Sequence, residues 1–215
     1  MPLYVFALVD AAPSRVGRGL SGAVAIRAID GGYAAVERRA DVPPLDFGSL
    51  RLHEEVVDRL ARLAPAVLPV RFGTLLTAQE IDAALDERVD DLREAFDLVR
   101  GRVQFTWRAA AAGSSPRVRR PPIRARSGAD YLRRAARAAH PVPHASFRRA
   151  RPLRGLAADE RFAPATPLVP AALYHLVDRS RSDAYASAAD EVRAHAPGLT
   201  WSGPFAAYAF TPELL

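Results

Sequence analysis

The sequence predicts an α+β fold of two small domains, each a mixed or antiparallel sheet with helices packed on it. Three observations lead there. Period-two and helix-period apolar patterns alternate along the chain, as they do where helices cover a sheet. A stretch rich in alanine, arginine and proline interrupts the pattern between residues 110 and 126. Each side of that break carries its own helix followed by an aromatic strand. The expected division is a first domain over 1–109, a linker over 110–126 and a second domain over 127–215, both domains being ferredoxin-like variants.

Residues 3–9 are apolar throughout and read as a central strand. Leu20 to Ile29 and Tyr33 to Arg38 read as two strands joined at Asp30-Gly31-Gly32, a strong hairpin signal. Ser49 is the expected N-cap of a helix whose apolar face is Leu52, Val56, Leu60 and Leu63, ended by Pro65. Val67 to Phe72 is short and apolar, with two valines, so it reads as a strand. Pro69 cannot donate to a ladder, which places that strand at an edge or gives it a bulge. Thr77 and Glu80 fit a capping box and open a helix with the stripe Ile81, Leu85, Val89, Leu92, Phe96 and Val99. Gly101 suits the left-handed residue after that helix. Val103, Phe105 and Trp107 then alternate with Gln104, Thr106 and Arg108, a strand with one buried face.

Beyond the break, Ser127 is expected to cap a short helix to about Ala139, stopped by Pro141 and Pro143. Phe147 to Leu156 reads as a strand with an arginine-rich exposed side, and 157–167 as loop. Leu168 to Asp178 reads as a buried strand. Ser182 to Ala196 reads as a helix with Tyr185, Ala189 and Val192 inward, and Leu199 to Phe210 as a last strand bent at Gly203-Pro204.

Composition narrows the function. A chain of 215 residues, 49% hydrophobic and 25% charged, has ample material for a packed core and is not of disordered type. There are no cysteines, which excludes disulfides, thiol catalysis and cysteine-bound zinc. No apolar run approaches the ~18–20 residues of a spanning helix. The first residues lack a basic region and meet Asp10 early, unlike a signal peptide, so a cytoplasmic protein is expected. The five histidines (His53, His140, His144, His175, His195) show no metal-ligand spacing, and no Gly-x-Ser-x-Gly or paired-carboxylate set stands out. Neither catalytic residues nor a cofactor, metal or small-molecule substrate is expected. Arg71 beside Gly73 and a helix start could suggest an anion cradle, but a plain strand-to-helix turn accounts for it.

The net charge of +6 is unevenly spread, and every basic residue is arginine. Residues 110–154 hold 12 arginines against one acid, Asp130, while the flanking stretches are slightly acidic. Such a block could bind nucleic acid in a strongly salt-dependent way. It contains only Tyr131 and Phe147 as aromatics and matches no nucleic-acid module. A basic nucleic-acid-binding or general protein-interaction module stays as the alternative function.

Several segments, in order, resemble one known family. They are His53-Glu-Glu-Val-Val57, Val67-Leu-Pro-Val-Arg-Phe-Gly-Thr74, Gly128-Ala-Asp-Tyr-Leu132 and Leu173-Tyr-His-Leu-Val-Asp-Arg179. The ending Leu199-Thr-Trp-Ser-Gly-Pro-Phe-Ala-Ala-Tyr-Ala-Phe210 joins them. Together they resemble the gas vesicle protein family GvpL/GvpF. Phe205-Ala206-Ala207 replaces the Trp-Pro-Pro of the family's ending, and the helix after Leu132 meets Pro141 early, so the second domain is shortened. The resemblance implies a non-enzymatic accessory or minor structural protein of the gas vesicle. Its implied partners are the hydrophobic shell protein GvpA and other Gvp proteins.

Two segments are candidates for partner binding. An edge strand can pair with an extended segment, which points to Pro69, Arg71, Phe72 and Gly73. Large aromatics supply much of the energy where interfaces form, which points to Trp201, Phe205, Tyr208 and Phe210. The alternative for each of these residues is ordinary sheet core.

Overall fold

The computed structural model describes residues 1–109, 145–166 and 169–215. The expected linker at 110–126 and helix at 127–139 lie outside the described residues, as do His140 and His144. The fold is α+β, with two sheets and helices packed on them. Contacts group the residues into two compact units. One comprises Met1–Gln104, Leu176–Ser180 and Pro204–Leu215; the other comprises Phe105–His175 and Arg181–Gly203.

The first sheet holds β1 (Leu3–Val9), β2 (Ala25–Ile29), β3 (Gly32–Arg38) and β4 (Val67–Pro69) in the order β2-β3-β1-β4. β1 is central as expected, and Tyr4 to Val9 are buried. It runs antiparallel to β3 on one side and to β4 on the other. The β2–β3 hairpin turns on Asp30 and Gly31, with Ile29 opposite Gly32. Gly31 takes a φ of 82°, which this tight turn requires and glycine adopts without strain. The β2 strand is shorter than expected because residues before it answer to a side chain instead of a ladder. The Glu37 carboxylate accepts from the backbone N–H groups of Leu20, Ser21 and Gly22 and from the Ser21 hydroxyl. A fifth strand, β5 (Leu75–Leu76), also pairs with β1 and was not foreseen.

Helix α1 spans Phe47–Leu63, and its cap is Asp46, not Ser49: the Asp46 carboxylate accepts from the Ser49 N–H at 2.7 Å. Its buried face is His53, Val56, Val57 and Leu60. Leu52 and Leu63 are exposed, so the sequence reading had the stripe rotated by about one residue. The expected long helix at 77–100 is two helices, α2 (Ala78–Asp86) and α3 (Val89–Val99). Both capping-box bonds between Thr77 and Glu80 are present. The break is backbone in origin: Glu87 and Arg88 have ψ of 0° and 17°, away from helical values. Ile81, Leu85, Leu92, Phe96 and Val99 are buried as expected.

The second sheet has β6 (Arg102–Ala109), β7 (Asp159–Ala163), β8 (Ala172–Asp178) and β9 (Leu199–Phe205) in the order β7-β8-β6-β9. Its first, second, third and fourth strands therefore stand in the same order as those of the first sheet. That shared order is the strand order of a ferredoxin-like sheet, although no helix lies between β1 and β2. β6 is interior, and Gln104 and Thr106 are buried along with Val103, Phe105 and Trp107, so both of its faces are covered. The strand expected over 147–156 is a 3₁₀ helix, Ala145–Leu156. Phe147, Ala150 and Leu153 are its buried residues. Their spacing of three is the 3₁₀ period, which stacks them on one line. The expected loop 157–167 contains β7. Helix α4 (Ser182–Ala194) buries Tyr185 and Ala189.

Candidate functional site

The first unit contains a cleft of ≈ 490 Å³ along β4. Leu8, Leu68, Pro69 and Val70 line it from the sheet, Arg71 and Thr74 from the following turn, and Tyr208 and Thr211 to Leu215 from the end of the chain. Among the described residues β4 pairs with β1 alone, so it is an edge strand, and its three residues are buried. Pro69 thus sits on an edge strand, where the missing N–H costs no ladder bond.

The turn carrying Arg71 is held from beneath by a buried histidine. Nδ1 of His53 lies 2.9 Å from the Tyr4 hydroxyl, and that hydroxyl also accepts from the Gly73 N–H at 3.3 Å. Phe72 packs edge-on to both rings, with centroids 6.1 Å from Tyr4 and 5.7 Å from His53. Burial holds the His53 pKa down to about 4, with a hydrogen bond to the Val70 backbone working the other way. His53 is therefore neutral at pH 7, accepting from Tyr4. Gly73 has a φ of 93°, which turns the chain sharply enough to project Arg71 outward. Its side chain is 82% exposed and donates to the Glu213 carboxylate at 2.8 Å.

Tyr208 stands where the aromatic ending was expected to contribute. Its hydroxyl is desolvated and feels the carboxylates of Glu54 and Asp58, and both effects push its pKa up. The ring remains partly exposed at the cleft. The other aromatics of that ending divide. Phe210 is fully buried, and Phe205 is 40% exposed without lining the cleft. Trp201 belongs to the second unit, packing on Phe105 at 5.8 Å and donating to Asp190 at 3.2 Å. The structure thus brings Pro69, Arg71 and Tyr208 together and keeps Phe72 and Gly73 as their support, while Trp201 belongs to the other unit.

The second unit holds a buried polar chain that the sequence did not reveal. The Trp107 indole N–H donates to the Tyr185 hydroxyl at 2.8 Å, and that hydroxyl lies 2.6 Å from His175 Nδ1. His175 Nε2 is 2.9 Å from Glu160, which also accepts from Nε and Nη2 of Arg154. One proton assignment satisfies every member: Tyr185 donates to Nδ1, and Nε2–H donates to Glu160. A histidine beside a carboxylate is the outline of an acid–base pair, but His175 and Tyr185 are fully buried and committed to each other. The arginine block is partly engaged in the same unit, Arg154 with Glu160 and Arg149 with the His195 carbonyl. Arg117 to Arg137 lie outside the described residues. Among the described residues no group of three or more His, Asp or Glu side chains could hold a metal ion, and no helix is long and apolar enough to cross a membrane.

The sequence profile of the gas vesicle synthesis protein family GvpL/GvpF matches residues 2–212. The chain belongs to the GvpL/GvpF family. Its fold is similar to the crystal structure of GvpF from Anabaena sp. PCC7120, with a TM-score of 0.70 at 16% identity over 98% of this chain and 96% of that one. It is equally similar to GvpF from Microcystis aeruginosa, with a TM-score of 0.69 at 15% identity over 97% and 98% of the two chains. At such identities the likeness shows the fold, while the family match shows a role connected with gas vesicles. No curated protein matches the chain significantly. A GvpL/GvpF protein is therefore built here from two sheets of one strand order, with an edge-strand cleft in the first unit.

Proposed function

We propose that this GvpL/GvpF protein binds a protein component of the gas vesicle during assembly, the hydrophobic shell protein GvpA or a fellow accessory Gvp protein, and catalyses nothing. Family membership supports the setting. The observation that carries the binding mode is the cleft along the edge strand β4, where apolar walls and an exposed arginine meet. An extended partner segment can add its own main-chain bonds to such an edge and place alternate side chains in the cleft. Apolar shell subunits need this kind of cover, because exposed apolar and edge surfaces otherwise associate with each other. Pro69, Arg71 and Tyr208 make the contact on this reading, and Phe72 and Gly73 shape it. Co-expression with GvpA followed by pull-down tests it. A recovered complex is expected, and deletion in a vesicle-forming host is expected to reduce or abolish buoyant vesicles. Normal vesicles in a deletion strain without a second copy would count against the proposal.

A further inference from the structure

We infer that residues 212–215 are a built-in stand-in for the partner, lining the cleft beside β4 until a segment of similar chemistry displaces them. This rests on the binding reading above and adds what the partner must carry there: an acidic residue followed by aliphatic ones.

The chemistry of the stand-in is explicit. Glu213 gives its carboxylate to Arg71, and its backbone carbonyl accepts from Arg88. Leu214 follows, buried in the wall of the cleft, and Leu215 beside it is partly covered. The cleft therefore reads an anion at Arg71, a backbone carbonyl at Arg88 and an aliphatic side chain one step on. Charge complementarity selects an acidic residue in the partner, because Arg71 is the cation that meets the Glu213 carboxylate.

The hold on these residues is light, whereas the hold just before them is firm. Phe210 is fully buried, the Ala209 N–H donates to Gln104 at 2.7 Å, and the Thr211 hydroxyl donates to the Ala207 carbonyl at 3.0 Å. After Thr211, Pro212 has no N–H to give. Among the described residues, the hydrogen bonds that hold 212–215 come from Arg71 and Arg88 alone. The Arg71–Glu213 pair is 82% and 85% exposed, a setting in which ion pairs contribute little and are weakened by salt. Release at Thr211 leaves Phe210 and the bonds before it in place and uncovers Leu214. The ≈ 490 Å³ beside it leaves room for an incoming segment to engage before exchange is complete.

The test uses the full chain and a fluorescein-labelled, C-terminally amidated peptide Gly-Thr-Pro-Glu-Leu-Leu, read by anisotropy. The double variant Glu213→Arg, Leu214→Ala is expected to bind the peptide at least tenfold more tightly than the unaltered protein does. Adding Arg71→Glu should remove that gain, and the peptide Gly-Thr-Pro-Arg-Leu-Leu should not bind. A double variant that melts like the parent yet binds no better overturns the inference, as does equal binding of both peptides. If the double variant fails to fold, the single variant Glu213→Gln decides: tighter peptide binding than the unaltered protein shows supports displacement, and unchanged binding refutes it. A GvpA complex recovered equally with parent and folded double variant, without peptide binding, would leave the proposed function standing and remove only this inference.

Discussion

The Tyr185 hydroxyl donates to Nδ1 of the fully buried His175 across 2.6 Å, and this bond fixes where every other proton in the second unit's polar chain must lie. With Nδ1 as acceptor, Nε2 carries the proton and gives it to Glu160, while the Trp107 indole finds the Tyr185 oxygen. Phenylalanine at 185 would leave the Trp107 N–H and His175 Nδ1 without their partner. Tyr185→Phe is expected to cost about 1–3 kcal/mol, the usual penalty for orphaned buried polar groups. Chemical denaturation followed by tryptophan fluorescence reads this directly, since Trp107 and Trp201 both belong to that unit.

Acid should weaken the protein through the buried His53 and His175. Burial lowers the pKa of both His53 and His175 below the ordinary 6.5, to about 4 for His53. The unfolded chain then takes up protons below pH 6.5 that the folded chain refuses. Their stabilising effect is complete above 6.5 and falls as pH drops toward the folded pKa, for His53 by roughly 3 kcal/mol in total. Glu160 has the same sign at lower pH. Burial opposes its charge, but the bonds from Arg154 and His175 outweigh that and hold its pKa below the usual value. Melting temperature measured from pH 8 to 4 should decline below 6.5, and His53→Leu should flatten that decline. An unchanged slope in the variant would show that His53 is not the source.

Glu37 organises the approach to β2, since four donors from residues 20–22 converge on its carboxylate. Burial raises its pKa, yet these donors more than compensate and the net shift is downward. Glu37→Gln is expected to lose about 1.5–3 kcal/mol, the range for bonds to a charged group. Hydrogen exchange at the amides of 20–22 should quicken in the variant, while those of β1 stay protected.

Phe96→Ala should cost roughly 3–5 kcal/mol through lost transfer energy and the cavity left behind. The ring is 2% exposed. It also packs so closely against Gly32 that an added Cβ there would meet it at 2.9 Å. Asp86→Ala, at an exposed position, should melt like the parent. A similar melt for Phe96→Ala would contradict the packing.

The elements legible in the sequence were those decided by neighbours in the chain. The Asp30-Gly31 turn, the Thr77–Glu80 capping box, the all-apolar β1 and the proline-marked edge at β4 each need only local chemistry. The failures share the opposite character. An apolar stripe runs unbroken through Val89, so nothing local marked the break at Glu87 and Arg88. Arginines around Phe147, Ala150 and Leu153 suggested an exposed strand face, although the spacing of three was already that of a 3₁₀ helix. His53 was hidden because a histidine followed by two glutamates reads as polar until Tyr4 is seen beneath it. At the candidate site, Pro69, Arg71 and Tyr208 were named but not as neighbours. Arg71 and its partner Glu213 are 142 residues apart, and only the fold brings them together.

The central claim is that a gas vesicle protein component engages the cleft between β4 and the end of the chain. Hydrogen exchange of the protein, alone and in complex with co-expressed GvpA, tests it most directly. The expected footprint is new protection at residues 67–74, with altered exchange at 208–215. Protection confined to other surfaces, with both segments unchanged, would contradict the claim.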